Sequence, residues 1–219
     1  MEFEKQLEEW MKLDYVLPED LPNIELYMDQ VTTFLEEQLK NTKRFEEDKI
    51  FTKTMINNYT KNHLLPPSNK KKYSRNHMIL LIYIYYLKNF LSISDIKNLL
   101  DPLNEHFEDS DMKPSFYQVY DEIFHLEHNH NSSIKKSITE AFNKAANTFS
   151  DLEDSNEKEK LQQFAFITLL GYDIYLRKQM IEKMIDQLYQ PVQSEKKDKI
   201  AKKKKKATAN FFIRLNTIS

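Results

Sequence analysis

Residues 52–67 read Thr52-Lys53-Thr54-Met55-Ile56-Asn57-Asn58-Tyr59-Thr60-Lys61-Asn62-His63-Leu64-Leu65-Pro66-Pro67, and Ser68-Asn69-Lys70-Lys71-Lys72-Tyr73-Ser74-Arg75 follow. The Thr52 hydroxyl can accept the orphan amide bonds of a first helical turn. The spacing of Met55, Ile56 and Tyr59 then predicts a helix over 53–62 that buries one side. Its other side presents Lys53, Thr54, Asn57, Asn58 and Lys61. Leu64-Leu65-Pro66-Pro67 ends the helix and forces an extended path, because proline excludes the residue before it from α geometry. Lys70–Lys72 make a short basic loop, and Tyr73 leads to Ser74, an N-cap for a helix over 75–90 that is apolar on most sides.

The charge pattern isolates this stretch. From Lys49 to Ser94 there are eight bases (Lys49, Lys53, Lys61, Lys70, Lys71, Lys72, Arg75, Lys88) and no Asp or Glu. Residues 1–48 carry fourteen acids against five bases, and 95–160 carry fifteen against seven. A basic island in an otherwise acidic chain is what a face kept positive for a polyanion requires. Asparagine bonds an adenine edge bidentately in the major groove, and lysines on a loop reach phosphates. The candidate DNA-binding residues are therefore Lys53, Thr54, Asn57, Asn58, Lys61, Lys70, Lys71, Lys72, Tyr73 and Arg75. Tyr59 and Tyr73 also suit simple packing.

Outward from this island the chain reads as helical. A single glycine, Gly171, in 219 residues excludes glycine-rich phosphate loops and argues against a large hairpin sheet. No cysteine is present, which excludes disulfides and thiolate zinc sites and suits a reducing cytosol. The N-terminus lacks the layout of a signal peptide, and the longest apolar run, Met78–Leu87, is about half a membrane span. A cytoplasmic protein without membrane contact is expected.

Further helices are expected over 2–13, with Phe3, Leu7, Trp10 and Met11 docking as one face, and over 24–39. Others are expected over 95–100 (ended by Pro102), 115–126, 133–149 and 158–189. In the last, Ile167, Leu170, Ile174, Ile181, Met184, Ile185 and Leu188 form a stripe. The acidic 104–114 stretch reads as a boundary, and the lysine-rich 191–219 tail reads as disordered. His125, His128 and His130 have Glu122 and Glu127 nearby, and His125 and His128 share a helix face, but this pattern fits a solvated helix end better than a metal site. Tyr83, Tyr85, Tyr86, Phe164 and Phe166, spaced as core residues, could also line a ligand pocket. No nucleophile–base pair or carboxylate dyad is visible, so no enzyme, metal or cofactor is expected.

The run 54–100 resembles the DNA-binding region of the MerR family. The matching features are Asn57–Pro67 with its Leu-Leu-Pro-Pro, the Tyr73-Ser74 helix start, and Leu91-Ser92-Ile93-Ser94-Asp95-Ile96-Lys97-Asn98-Leu99-Leu100. Beyond that window the chain is similar to an uncharacterised family of Firmicute proteins. Two departures stand out. His63 occupies the position of the family's glycine, so that His63 or Asn62 must supply a left-handed turn, asparagine tolerating it better. Residues 41–51 also replace a tight turn.

The resemblance implies an all-α fold, with a MerR-like winged helix-turn-helix in an N-terminal region spanning 1–104 (core 49–101). A helical region 105–190 would follow. It implies a sequence-specific transcriptional regulator on double-stranded DNA, with helix 53–62 in the major groove and wing 66–73 on the backbone. It further implies a homodimer through 158–189 and a small-molecule effector of unknown identity, sensed within 115–150. The alternative is a helical protein–protein adaptor that keeps the winged-helix fold without DNA binding.

Overall fold

The most buried helix is α4 (Arg75–Leu87), in which His77–Ile82, Ile84 and Tyr85 are all buried. Its start is fixed by Ser74, whose amide donates to His77 Nδ1 at 2.9 Å, closing the first turn. The computed structural model describes residues 2–12, 15–107, 109, 111 and 113–215, with side chains from 3 to 189 within those bounds. It is mostly helical, and its two compact units are Met1–Arg177 and Lys178–Ser219.

The element order is α1 (Glu2–Trp10), a one-turn 3-10 helix at Pro18–Asp20, β1 (Leu26–Tyr27) and α2 (Met28–Leu39). After them come α3 (Lys53–Lys61), β2 (Lys72–Tyr73), α4, α5 (Ile93–Asn104), α6 (Phe116–Ala146) and α7 (Ser155–Leu215). Around α4 pack α5, α6 and β2, while α2 packs on α3 and on both strands. β1 and β2 pair antiparallel, with Leu26 opposite Tyr73 and Tyr27 opposite Lys72. Val31, Leu35 and Leu39 of α2, Ile56 of α3 and Ile96 and Leu100 of α5 supply much of the remaining core. Burial of each such side chain stabilises the fold by roughly 1.5–3 kcal/mol before entropy is counted.

Several expectations are corrected. Residues 116–146 form one helix rather than two. The polar run His128–Ser133 costs only about 0.5 kcal/mol per residue in helix propensity and contains neither proline nor glycine, so the helix continues. Tyr15 bonds Asn131 within that run, and Lys135 bonds Glu8 at 2.6 Å, tying it to the N-terminal segment. Pro102 lies inside α5, which continues to Asn104. In the last turn its ring removes one amide bond without stopping the helix. Trp10 does not dock with Leu7: it is 65% exposed, whereas Leu7 is buried. Of the apolar stripe on α7, Ile167 and Ile174 are exposed within the first unit and Leu188 within the second, while Ile185 is buried.

Phe107 is buried and stands edge-on to His77 at 4.6 Å, and α4 packs on α6 from either side of the acidic 104–114 stretch. In 191–215 the backbone is helical and the side chains lie outside the described residues; 216–219 lie outside them altogether. Among the described residues no helix is long and apolar enough to cross a membrane.

Candidate nucleic-acid interface

Helix α3 is built as the sequence reads. Thr52 Oγ1 accepts from the Met55 amide at 3.1 Å, Ile56 and Tyr59 are buried, and Met55 is half-buried. Lys53, Thr54, Asn57, Asn58 and Lys61 are all exposed or half-exposed at the surface. The helix ends in a Schellman cap. The Leu64 amide donates to Tyr59 O at 2.9 Å and the His63 amide to Thr60 O at 3.1 Å. His63 takes the left-handed position with φ 57°, while Asn62 stays at φ −91° and bonds Asn58 O through its side-chain amide at 2.8 Å. The left-handed residue is thus the histidine, because the asparagine is already engaged as the C-cap.

Leu64 and Leu65 are buried and anchor the chain leaving α3. Beyond Pro66-Pro67 lies a two-residue hairpin. The Lys72 amide donates to Asn69 O at 2.8 Å, and the Asn69 amide to Lys72 O at 3.1 Å. Lys70 and Lys71 occupy its tip with φ of 49° and 64°. Positive φ at both central residues defines a type I′ turn, a geometry normally given to Asn-Gly. Two exposed lysines are held there instead.

The base of this hairpin and the start of α3 meet the same junction. Lys72 pairs with Tyr27 across the strands and sets its ammonium over the Tyr27 ring at 5.7 Å. Lys53 forms a salt bridge with Asp29, two residues on in α2. Tyr27 is 53% exposed. Neither Tyr27 nor Asp29 is singled out by local sequence pattern, since the pairing that places them joins strands far apart in the chain.

Three bases of the island lie differently. Arg75 is half-buried, its Nε donating to Pro22 O at 3.4 Å and its guanidinium lying over Tyr117 at 5.0 Å. Lys88 sits between the Phe51 and Tyr85 rings at 4.8 Å and donates to Ile50 O at 3.1 Å; burial lowers its pKa. Lys49 is exposed, on the loop before α3. Tyr73 is buried, edge-on to His77 at 5.2 Å, and serves packing rather than an exposed surface.

That loop is held by Glu36 of α2. Its Oε1 binds Lys43, and its Oε2 accepts from the Ile50 amide at 3.3 Å. Burial acts to raise the Glu36 pKa, but the Lys43 hydrogen bond, the Ile50 amide and the positive charges of Lys43 and Lys49 outweigh it, and the carboxyl ends below its ordinary value. The long connection 41–51 is therefore tied at Ile50 by Glu36 on its amide and by Lys88 on its carbonyl.

The other candidates resolve simply. His125, His128 and His130 are exposed on α6, and among the described residues no group of three or more His, Asp and Glu is placed to hold a metal ion. The tyrosine cluster around Tyr83, Tyr86 and Tyr120 encloses only about 70 Å³. Tyr120 donates to Val16 O at 2.5 Å, which makes the cluster chiefly a packing site.

This helix, cap and hairpin fall within a recognised stretch of sequence. Residues 16–123 match a domain of unknown function, DUF1836. The match takes in α2 to α5, both strands and the first turns of α6. Among curated proteins and among solved structures, nothing matches the chain.

Proposed function

We propose that the chain is a sequence-specific double-stranded-DNA-binding protein, a cytoplasmic transcriptional regulator that acts as a homodimer. In this reading α2 and α3 are the helix-turn-helix, α3 enters the major groove, and the 69–72 hairpin is a MerR-like wing on the flanking backbone. The observation that carries it is the hairpin tip. Two consecutive lysines held at positive φ cost roughly 1–2 kcal/mol each, and strain of this kind persists where it serves a function. The tip presents two exposed lysines, and the outer face of α3 carries Lys53, Thr54, Asn57, Asn58 and Lys61. A phosphate backbone is the ligand such a tip suits, and the asparagines suit base edges.

Homodimerisation rests on α7. Within the first unit it exposes Phe164, Ile167, Tyr172, Ile174, Tyr175 and Leu176, and within the second Met180, Met184 and Leu188. Apolar side chains repeated along one helix call for a partner helix. The same residues favour a second reading, a protein–protein adaptor, in which a different chain covers them.

The test is selection from a random duplex pool, with Asn57→Ala and Asn58→Ala variants alongside. A regulator selects two half-sites about 34–36 Å, or a multiple, apart. Each asparagine that reads a base contributes about 1–3 kcal/mol of discrimination. An adaptor retains no duplex at low salt.

A further inference from the structure

A cleft within the first unit lies outside the stretch matched to the family and takes no part in the DNA-binding reading. It measures about 380 Å³ and is formed where α1, α6 and α7 meet. Phe3 and Phe142 stack at 3.8 Å with their planes 5° apart, and Phe166 stands edge-on to both at 5.6 and 5.4 Å. All three rings are only half-buried, so the cluster keeps an aromatic wall towards the cleft. The volume is in the range of small-molecule sites.

Gln6 can donate as well as accept; the other polar groups of the cleft offer mainly oxygens. Gln162 Nε2 donates to Ala146 O at 2.7 Å and to Thr148 O at 2.9 Å, so both amide hydrogens are engaged and its Oε1 is the atom it can offer a ligand. Gln163 Nε2 donates to Glu159 Oε1 at 3.3 Å, leaving its own Oε1 and the second carboxylate oxygen as acceptors. No Lys, Arg or His lines the cleft among the described residues. Ala145 and Ala146 are the last residues of α6, whose C-terminal partial negative charge is offset in part by Lys144 in the same turn. The opposing field of the α7 N-terminus is met by Asp154, which accepts from the Asn156 and Glu157 amides at 2.9 and 3.2 Å. Aromatic faces are electron-rich and attract cations in the same way.

We propose that this cleft binds a small organic cation, a substituted amine or quaternary ammonium carrying an aromatic or branched aliphatic body. The apolar body lies on the phenylalanine wall, and the cationic head faces Glu159 and the glutamine oxygens. Phe3, Glu159, Gln162, Gln163 and Phe166 fall outside residues 115–150, the sensor region that the MerR resemblance implies. Only the Phe142–Ala146 end of α6 lies within them.

The test is calorimetric titration of the full chain with benzyltrimethylammonium, its uncharged isostere neopentylbenzene and the anion phenylacetate. Saturable 1:1 binding of the cation at about 1 mM is expected for a ligand this small, with no binding of phenylacetate. Glu159→Gln, an exposed change that leaves the fold intact, weakens the cation about fivefold and leaves the uncharged isostere unaffected. Phe166→Leu weakens both. The proposal is overturned if the cation fails to saturate at about ten times that concentration, or if all three probes bind alike. Unchanged affinity in both variants overturns it too. So does a change in oligomeric state in either variant at unchanged affinity, which would make the cleft an interface between copies.

Discussion

His63 carries a backbone conformation that glycine supplies more cheaply, and the Schellman cap closes around it regardless. Replacing it with glycine removes the Cβ clash of a left-handed residue, partly offset by the greater freedom glycine has in the unfolded chain. His63→Gly is expected to raise stability by about 0.5–1 kcal/mol, read as a higher urea midpoint at unchanged slope. Glu36 gives a second prediction. Its pKa lies below the ordinary 4.5, so it binds fewer protons folded than unfolded near that pH. The stability it contributes is present above about pH 4.5 and is lost as pH falls through its folded value. Glu36→Gln should cost about 0.5–1 kcal/mol at neutral pH, where a partly exposed carboxylate is screened. The gap from wild type should close on acidification; a gap constant with pH would show that the Ile50 amide and packing, not charge, hold the 40–50 loop.

The hairpin is the element in which stability and function diverge. Asn-Gly is the natural occupant of its two central positions, so Lys70→Asn with Lys71→Gly should stabilise the protein by about 1–2 kcal/mol in thermal unfolding while weakening duplex binding. Loss of stability would mean that the two lysines make contacts which outweigh their strain. This turn is invisible in the sequence, because a type I′ turn without glycine, asparagine or aspartate at its tip carries no local signature. Helices α3 and α4 are legible, since Thr52 and Ser74 mark their starts and the apolar spacing of Ile56, Tyr59 and Met78–Tyr85 marks their buried sides. The continuity of α6 is not. His128–Ser133 looks like a break by composition, yet tertiary ties from Tyr15 and Glu8 and the cooperativity of a long helix carry it through. Of the ten candidate site residues, the five on α3 can be placed from periodicity alone. Tyr73 and Arg75 face protein instead, for reasons set by α6 and α4 partners that no local pattern shows.

At the scale of the whole chain, forty-six residues free of acids lie within a sequence that is otherwise rich in them, and the matched domain of unknown function encloses them. The structure sorts that island. Lys88 is drawn between two aromatic rings and Arg75 onto Tyr117, while Lys53, Lys61, Lys70 and Lys71 stay at the surface. Lys53 and Lys72 meet the β1–α2 junction through Asp29 and Tyr27. The most direct test of the DNA-binding reading is the salt dependence of duplex binding, measured on wild type and on a Lys70→Ala, Lys71→Ala variant. Each phosphate neutralised contributes about 0.9 to the slope of log affinity against log salt. The account predicts steep wild-type dependence and, with two lysines lost from each protomer of the dimer, a slope shallower by about 3.6 in the variant, with the same preferred sequence. Equal slopes, or no wild-type binding at low salt, would contradict it.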